Sequence, residues 1–349
     1  TLDTSFGGGD GILTTAIGSG NDWAYSVQVQ PDGKILLAGS SGGDFALVRY
    51  NADGSLDTSF GGGDGIAITS LTIGSDYGYQ VTLQTDGKIV VAGYGSGVGT
   101  YDFAVIRYNA DGTLDTSFGG GDGIATVDIG GVSNQAFSVA IQSDGKIVLG
   151  GSSSGTDWDF ALVRLNTDGS VDTSFGGGDG IVTTPVGVSS DFAYSVTIQS
   201  DGKILLAGRS STGNDFALVR YNTDGTLDTS FGGGDGIATT SIGTSTDTAY
   251  AVSVQADGKI LVAGRTVSGN SDFALVRYNA DGTLDTDFGL VNTLDGNPAF
   301  TEGGAAVVLD IDVNVSDSEL DALNSGLGNY AGASLTLVRN GGANGEDVL

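Results

Sequence analysis

Residues 24–66 read AYSVQVQPDGKILLAGSSGGDFALVRYNADGSLDTSFGGGDGI, and within this stretch apolar side chains alternate with polar ones at a period of two. That period is what a strand with two different faces requires. Tyr25, Val27 and Val29 precede the turn Pro31-Asp32-Gly33, and the apolar residues 35–38 follow it, which makes a hairpin. Asp-Gly suits so tight a turn because Gly has no Cβ and the Asp side chain can bond its own backbone. A second hairpin runs from residues 45–50 through Asn51-Ala52-Asp53-Gly54 to residues 56–60. The unit therefore holds at least four strands, with LDTSF as the fourth. The apolar run after GGGDG, as at residues 12–17 or 237–242, is either a fifth strand or an extended connection.

Working outward, the same unit recurs along most of the chain. The string LDTSFG or a close variant starts at Leu2, Leu56, Leu114, Val171, Leu227 and Leu284, at spacings of 54, 58, 57, 56 and 57 residues. In phase with it, DGK recurs at Asp32, Asp86, Asp144, Asp201 and Asp257, and DFALVRY or a variant at Asp44, Asp102, Asp159, Asp215 and Asp272. A sheet of four short strands, apolar on both faces, must be covered on each side, and stacking like units does that. All-β units of this size close radially, so the expected fold is all-β: a five-bladed β-propeller over residues 1–289. Residues 290–296 read as a linker, and residues 297–349 as a short, incomplete β-sandwich-like segment. Six LDTSF copies against five of the other motifs leave one strand over. Either terminal copy can close the ring, and the surplus strand is a candidate for pairing with another chain.

The three phased motifs resemble the delta-60 repeat, a β-propeller repeat of exported bacterial proteins, over residues 1–289. A looser similarity to NHL-type propeller repeats supports the strand order. The resemblance implies an exported, non-catalytic propeller and carries no catalytic residues to transfer. After Phe288-Gly289 the GGGDG string gives way to Leu290-Val291-Asn292, where the array is expected to end. Residues 297–349, with NPAFTEGGAAVVLDIDVNVSDSELDALN, look like the opening of a cadherin-like or Ig-like repeat of large bacterial surface proteins. Two or three strands cannot close a sandwich of roughly seven.

Composition narrows the chemistry. The 349 residues include 62 Gly and no His, Cys or Met, with a formal net charge of -29. The commonest general base, the thiol nucleophile, the disulfide and the usual zinc ligands are thus excluded. Such an excess of carboxylate repels phosphate backbones and anionic lipid, so nucleic acid is not an expected partner. No apolar run is long enough for a membrane-spanning helix, so no membrane insertion is expected. All three Glu (Glu302, Glu319, Glu346) lie beyond residue 289, where nine acids face only Arg339. A chain that lacks Met even at position 1 reads as a processed or excerpted piece of a longer product, and a cleaved secretion signal would fit. An extracellular or cell-surface location follows from the acidic, Cys-free composition.

Each chemical candidate has a plainer reading. GGGDG, as at residues 61–65, lacks the Lys-Ser/Thr and the helix of a phosphate loop, and a period near 57 is not that of the calcium nonapeptide. Asn51, Asp53 and Asp57 miss the calcium-loop pattern because Gly stands fourth rather than sixth. Lys34, Lys88, Lys146, Lys203 and Lys259 all follow a DG turn and read as solvated, edge-protecting residues. Arg49, Arg107, Arg164, Arg220 and Arg277 read as cross-strand partners of the LDTSF aspartates. No cofactor is required. Calcium is the one candidate metal, at Asp310, Asp312, Asp317 and Asp321.

Trp23, Tyr77, Tyr94, Tyr101 and Trp158 differ between units and are placed on loops. Beside Asp22, Asp76 and Asp157 they are the candidate contacts for a glycan or peptide, through stacking and carboxylate hydrogen bonds. The functional expectation is a non-catalytic structural or adhesive module of a bacterial surface assembly, partnered by itself or by other surface-protein domains and self-associating through strand exchange. The alternative is a glycan-binding, lectin-like propeller. An enzyme is not expected, because residues 1–289 hold neither His nor Glu and repeated turn aspartates offer no asymmetric acid-base pair.

Overall fold

A computed structural model describes residues 1–71, 74–96 and 100–289, and all regular structure in them is β. Thr1–Phe288 makes one compact unit. The segments 290–296 and 297–349, with Asp310, Asp312, Asp317 and Asp321, lie outside the described residues.

Five propeller blades follow one another along the chain. Blade 1 holds β1 (Asp22–Val29), β2 (Ile35–Ser41), β3 (Asp44–Tyr50) and β4 (Ile66–Thr69). Blade 2 holds β5 (Asp76–Leu83), β6 (Ile89–Ser96), β7 (Tyr101–Tyr108) and β8 (Ile124–Val127). Blade 3 holds β9 (Ser133–Ile141), β10 (Ile147–Ser154), β11 (Trp158–Leu165) and β12 (Ile181–Thr184). Blade 4 holds β13 (Phe192–Ile198), β14 (Ile204–Arg209), β15 (Phe216–Tyr221) and β16 (Ile237–Thr240). Blade 5 has three strands among the described residues, β17 (Thr248–Val254), β18 (Ile260–Ser268) and β19 (Asn270–Tyr278). Within a blade the strands are antiparallel and in chain order, and a single parallel bridge, Tyr101 to Ser133, links blades 2 and 3.

The fourth strand is not the LDTSF string. Leu56 makes one bridge, to Tyr50, and the chain then turns. The Asp57 Oδ1 accepts hydrogen bonds from the Ser59 backbone N–H at 3.0 Å and from its hydroxyl at 2.7 Å. Such a side-chain turn competes with extension of the strand. The glycines that follow reverse the chain: Gly61 has φ of 64°, and a Cβ there would stand 1.9 Å from the Ile66 carbonyl oxygen. Ile66–Thr69 then pairs with β3 in the register Phe45–Thr69, Ala46–Ile68, Leu47–Ala67, Val48–Ile66. The run left open between fifth strand and connection is therefore the outer strand. The six LDTSF copies are six turns, so the strand counted as surplus is not LDTSF.

The core lies between blades. Leu36, Phe45, Leu47 and Phe60 of blade 1 pack with Val81, Ile89, Ile106 and Tyr108 of blade 2, and neighbouring blades repeat the arrangement. The LDTSF turns of blades 1 to 4 also dock on the next blade's hairpin turn, as in Gly61 N–H to Asp111 O at 3.0 Å and Gly176 N–H to Asp224 O at 3.0 Å. The end of the outer strand is tied to the next blade by a hydroxyl pair: Thr69–Tyr108 at 2.8 Å, Thr184–Tyr221 at 2.8 Å, Thr240–Tyr278 at 2.7 Å. At the remaining interface both positions are apolar, Val127 and Leu165, so neither side chain brings a hydroxyl that needs a partner.

Candidate functional site

The repeated charges form one cluster per blade, buried in blades 1 to 4 and more open in blade 5, where the Arg277 side chain is 22% exposed. In blade 3, Arg164 Nε lies 2.7 Å and Lys146 Nζ 2.8 Å from Asp172 Oδ2, with Arg164 and Asp172 side chains 7% and 6% exposed. The guanidinium carbon sits 4.4 Å above the Phe175 ring, and the Arg164 Nη1 donates to the Thr223 carbonyl of blade 4. Arg49–Asp57, Arg107–Asp115, Arg220–Asp228 and Arg277–Asp285 repeat the pair. The expected Arg–Asp pairing is present. The Lys residues, expected to be merely solvated, instead reach 2.7–2.9 Å from the same aspartates with side chains about one-quarter to one-third exposed. Burial alone raises an Asp pKa. Here the hydrogen bonds from Lys146 and Ser174 and the Arg164 contact outweigh it and hold Asp172 well below the ordinary value, as their counterparts do for Asp57, Asp115 and Asp228.

Other carboxylates are equally committed to backbone. Asp22 accepts from Ile17 N–H at 2.9 Å and from the Ser41 hydroxyl at 2.6 Å. Asp76 accepts from Leu71 N–H at 2.8 Å, and Asp191 from Val186 and Gly187 N–H at 2.8 and 2.7 Å. Asp76 and Asp191 thereby tie the end of an outer strand to the start of the next blade, and Asp22 makes the same kind of bond to the segment that precedes blade 1. In GGGDG, Asp64 Oδ1 accepts from Ile66 N–H at 2.9 Å, and Asp10, Asp122, Asp179 and Asp235 do the same. Asp102 and Asp159 have raised pKa values, first through burial and then through Asp128, or Asp191 and Asp157. A raised carboxyl can serve as an acid, but both begin the repeated DFALVR strand. Among the described residues no three Asp, Glu, His or Cys converge to hold a metal.

The aromatic residues singled out in the sequence lie within strands rather than on loops. Tyr77, Tyr94 and Tyr101 come together, with ring centroids 5.4 Å (Tyr77–Tyr94) and 5.2 Å (Tyr94–Tyr101) apart, but Tyr94 is only 8% exposed. Trp158 stands elsewhere, 5.5 Å from Phe192, and Trp23 is 56% exposed in blade 1.

Sequence reasoning missed a second aromatic set. The first strand of every blade carries a bulge, at Tyr25, Tyr79, Phe137, Tyr194 and Tyr250. Bulges re-aim side chains, and these rings form a ladder from blade to blade with centroid spacings of 4.6, 5.0, 5.4 and 5.3 Å. The signal was available, since each ring stands seven positions before the Asp of a DGK turn.

Among the described residues the two ends of the blade series are open. β1 packs on β5, β5 on β9, β9 on β13 and β13 on β17, and no comparable contact joins β17 to β1. Phe45, Phe103, Phe160 and Phe216 are fully buried, whereas their counterpart Phe273 on β19 is fully exposed and Leu275 is 53% exposed. At the other end Val27 is 62% exposed, against 3% for its counterpart Val81. Such apolar exposure is what a neighbouring blade covers elsewhere.

These features define an all-β protein built of repeated propeller units. Five segments, residues 30–60, 84–118, 142–175, 199–231 and 255–288, match the family model described as "Domain of unknown function (DUF5122) beta-propeller". No curated protein sequence matches the chain. Similar solved structures include virginiamycin B lyase from Staphylococcus aureus, at 12% identity and TM-score 0.43 over 72% of this chain and 69% of that one. A protein from Lactobacillus plantarum matches at 15% identity and TM-score 0.45 over 72% and 70%, and a gluconolactonase from Xanthomonas campestris at 12% and 0.40 over 76% and 75%. At these identities and scores no activity is carried over.

Proposed function

We propose that the chain is a non-catalytic structural module of a secreted or cell-surface assembly, associating through its open blade ends. The observation that carries this reading is the full exposure of Phe273 on β19, whose outer edge holds no strand among the described residues, at a position buried in every other blade. The ionisable groups support it, because the repeated Lys, Arg and Asp side chains are spent on equivalent intrachain pairs. The resemblance to a repeat of exported bacterial proteins and the acidic composition favour the extracellular location. Electron microscopy of the native material tests the reading: ordered polymers support it, and isolated single particles at all concentrations contradict it.

A lectin-like role is the second reading, favoured by the exposed face of Trp23 and the partly exposed Tyr77, Tyr101 and Trp158. Glycan-array binding that disappears in Trp23→Ala or Trp158→Ala would establish it.

A further inference from the structure

Residues 12–17 are the sequence counterpart of residues 66–71, whose first four form the outer strand of blade 1. Their placement repeats one half of what such a segment does elsewhere. The Tyr50 hydroxyl donates to the Thr15 hydroxyl at 2.9 Å, as Thr69 pairs with Tyr108. Gly7 N–H donates to Asp53 O at 3.1 Å, as Gly61 does to Asp111. Ile17 N–H donates to Asp22, as Leu71 does to Asp76. The segment is thus seated on blade 1 as the outer strand of a preceding blade would be.

The other half is unmade. Residues 12–17 pair with no strand among the described residues, and Ile12 and Leu13 are 56% and 39% exposed. β19 is the complementary vacancy: its counterparts β3, β7, β11 and β15 each hold an outer strand, and among the described residues it holds none. The aromatic ladder ends in the same way, with Tyr25 44% and Tyr250 48% exposed, each lacking the neighbour that the inner rings have.

We propose that β19 of one copy takes residues 12–15 of a second copy as its outer strand, so that blade 1 of the second copy packs on blade 5 of the first. The inference rests on the structural-module reading and specifies its contact. No strand leaves its own chain: the intermolecular interface continues the four internal ones, and Tyr250 stacks on the partner copy's Tyr25. The register follows from the internal blades, where Val219, Leu218, Ala217 and Phe216 face Ile237, Ala238, Thr239 and Thr240. Val276 therefore faces Ile12, Leu275 faces Leu13, Ala274 faces Thr14 and Phe273 faces Thr15. Such a contact is heterologous, head to tail, and propagates unless it closes on itself. A second copy is favoured over the chain's own segment because that segment is already anchored to blade 1, and blades 1 and 5 make no comparable contact.

The chain has no Cys, so introduced thiols report the contact directly. Leu13→Cys and Leu275→Cys, made in separate full-length chains, mixed and oxidised mildly, are expected to give a disulfide-linked heterodimer. Thr14→Cys with Leu275→Cys, one residue out of register, is expected to give far less. Both leucines are exposed in the single copy, so the variants are expected to fold, which circular dichroism checks. Phe273→Asp is expected to weaken self-association by about tenfold or more. In the double variant Leu13→Cys/Leu275→Cys, an internal disulfide in a monomer overturns the inference, because the chain then closes on itself. Ordered polymers without the Leu13–Leu275 cross-link also overturn it while leaving the module reading standing. Absence of both polymers and cross-link overturns the two together.

Discussion

Replacing Asp172 by Ala removes the acceptor on which the blade 3 charge cluster converges. Asp172 receives Arg164 Nε at 2.7 Å, Lys146 Nζ at 2.8 Å, and the Ser174 N–H and hydroxyl at 3.0 and 2.7 Å. Without the carboxylate, Arg164 stays buried against Phe175 with its Nε unpaired. Removing one partner of a buried pair costs about 3–5 kcal/mol, chiefly through the charge left behind. Lys146 is 26% exposed and returns to water, so Lys146→Met is expected to cost under about 1 kcal/mol. The paired change Arg164→Met/Asp172→Leu is expected to recover most of the loss, because no unpaired charge remains. Urea unfolding followed by Trp158 fluorescence in a Trp23→Phe background reads out blade 3. A loss below about 1 kcal/mol in Asp172→Ala, or a larger one in Lys146→Met, would refute the cluster as a buried, Arg-centred interaction.

Three further outcomes are expected. Phe216→Ala should destabilise by about 3–5 kcal/mol, while Phe273→Ala, at the same motif position but fully exposed, should change the dilute monomer's stability by no more than about 0.5 kcal/mol, compared by urea unfolding. Gly61→Ala combines positive φ with a Cβ 1.9 Å from the Ile66 oxygen and should lower the thermal midpoint more than Gly62→Ala, which has positive φ but no neighbour within 4 Å. The depressed pKa values of Asp57, Asp115, Asp172 and Asp228 make their stabilisation complete above the ordinary Asp value of 3.8 and progressively lost as pH falls below it. A thermal midpoint that stays level through that acid range would contradict this sign.

The blades were legible because their information is local. Alternating apolar residues around Pro31-Asp32-Gly33 specify both strands and turn without reference to distant residues. The outer strand was harder to place, because LDTSF also alternates; what ends its extension is the hydrogen bond that Ser59 N–H donates to Asp57, a choice between side-chain turn and ladder that composition does not reveal. Lys34 looked solvated because it adjoins a turn, yet its amine meets Asp57, 23 residues away. The aromatic ladder was hidden by its bulges, which take Tyr25 out of the simple alternation that had explained it as ordinary strand packing. The open edge of β19 could not be read from the DFALVRY string at all, since Phe273 and Phe216 occupy identical local sequence and differ only in what lies beside them.

Sedimentation of the full chain across a wide concentration range at moderate salt, where the repulsion from the -29 net charge is screened, tests the central claim most directly. Association through open blade ends predicts a weight-average mass that climbs with concentration beyond the dimer and falls back to 34.9 kDa in Phe273→Asp. A single 34.9 kDa boundary at every concentration, unchanged by that substitution, would contradict it.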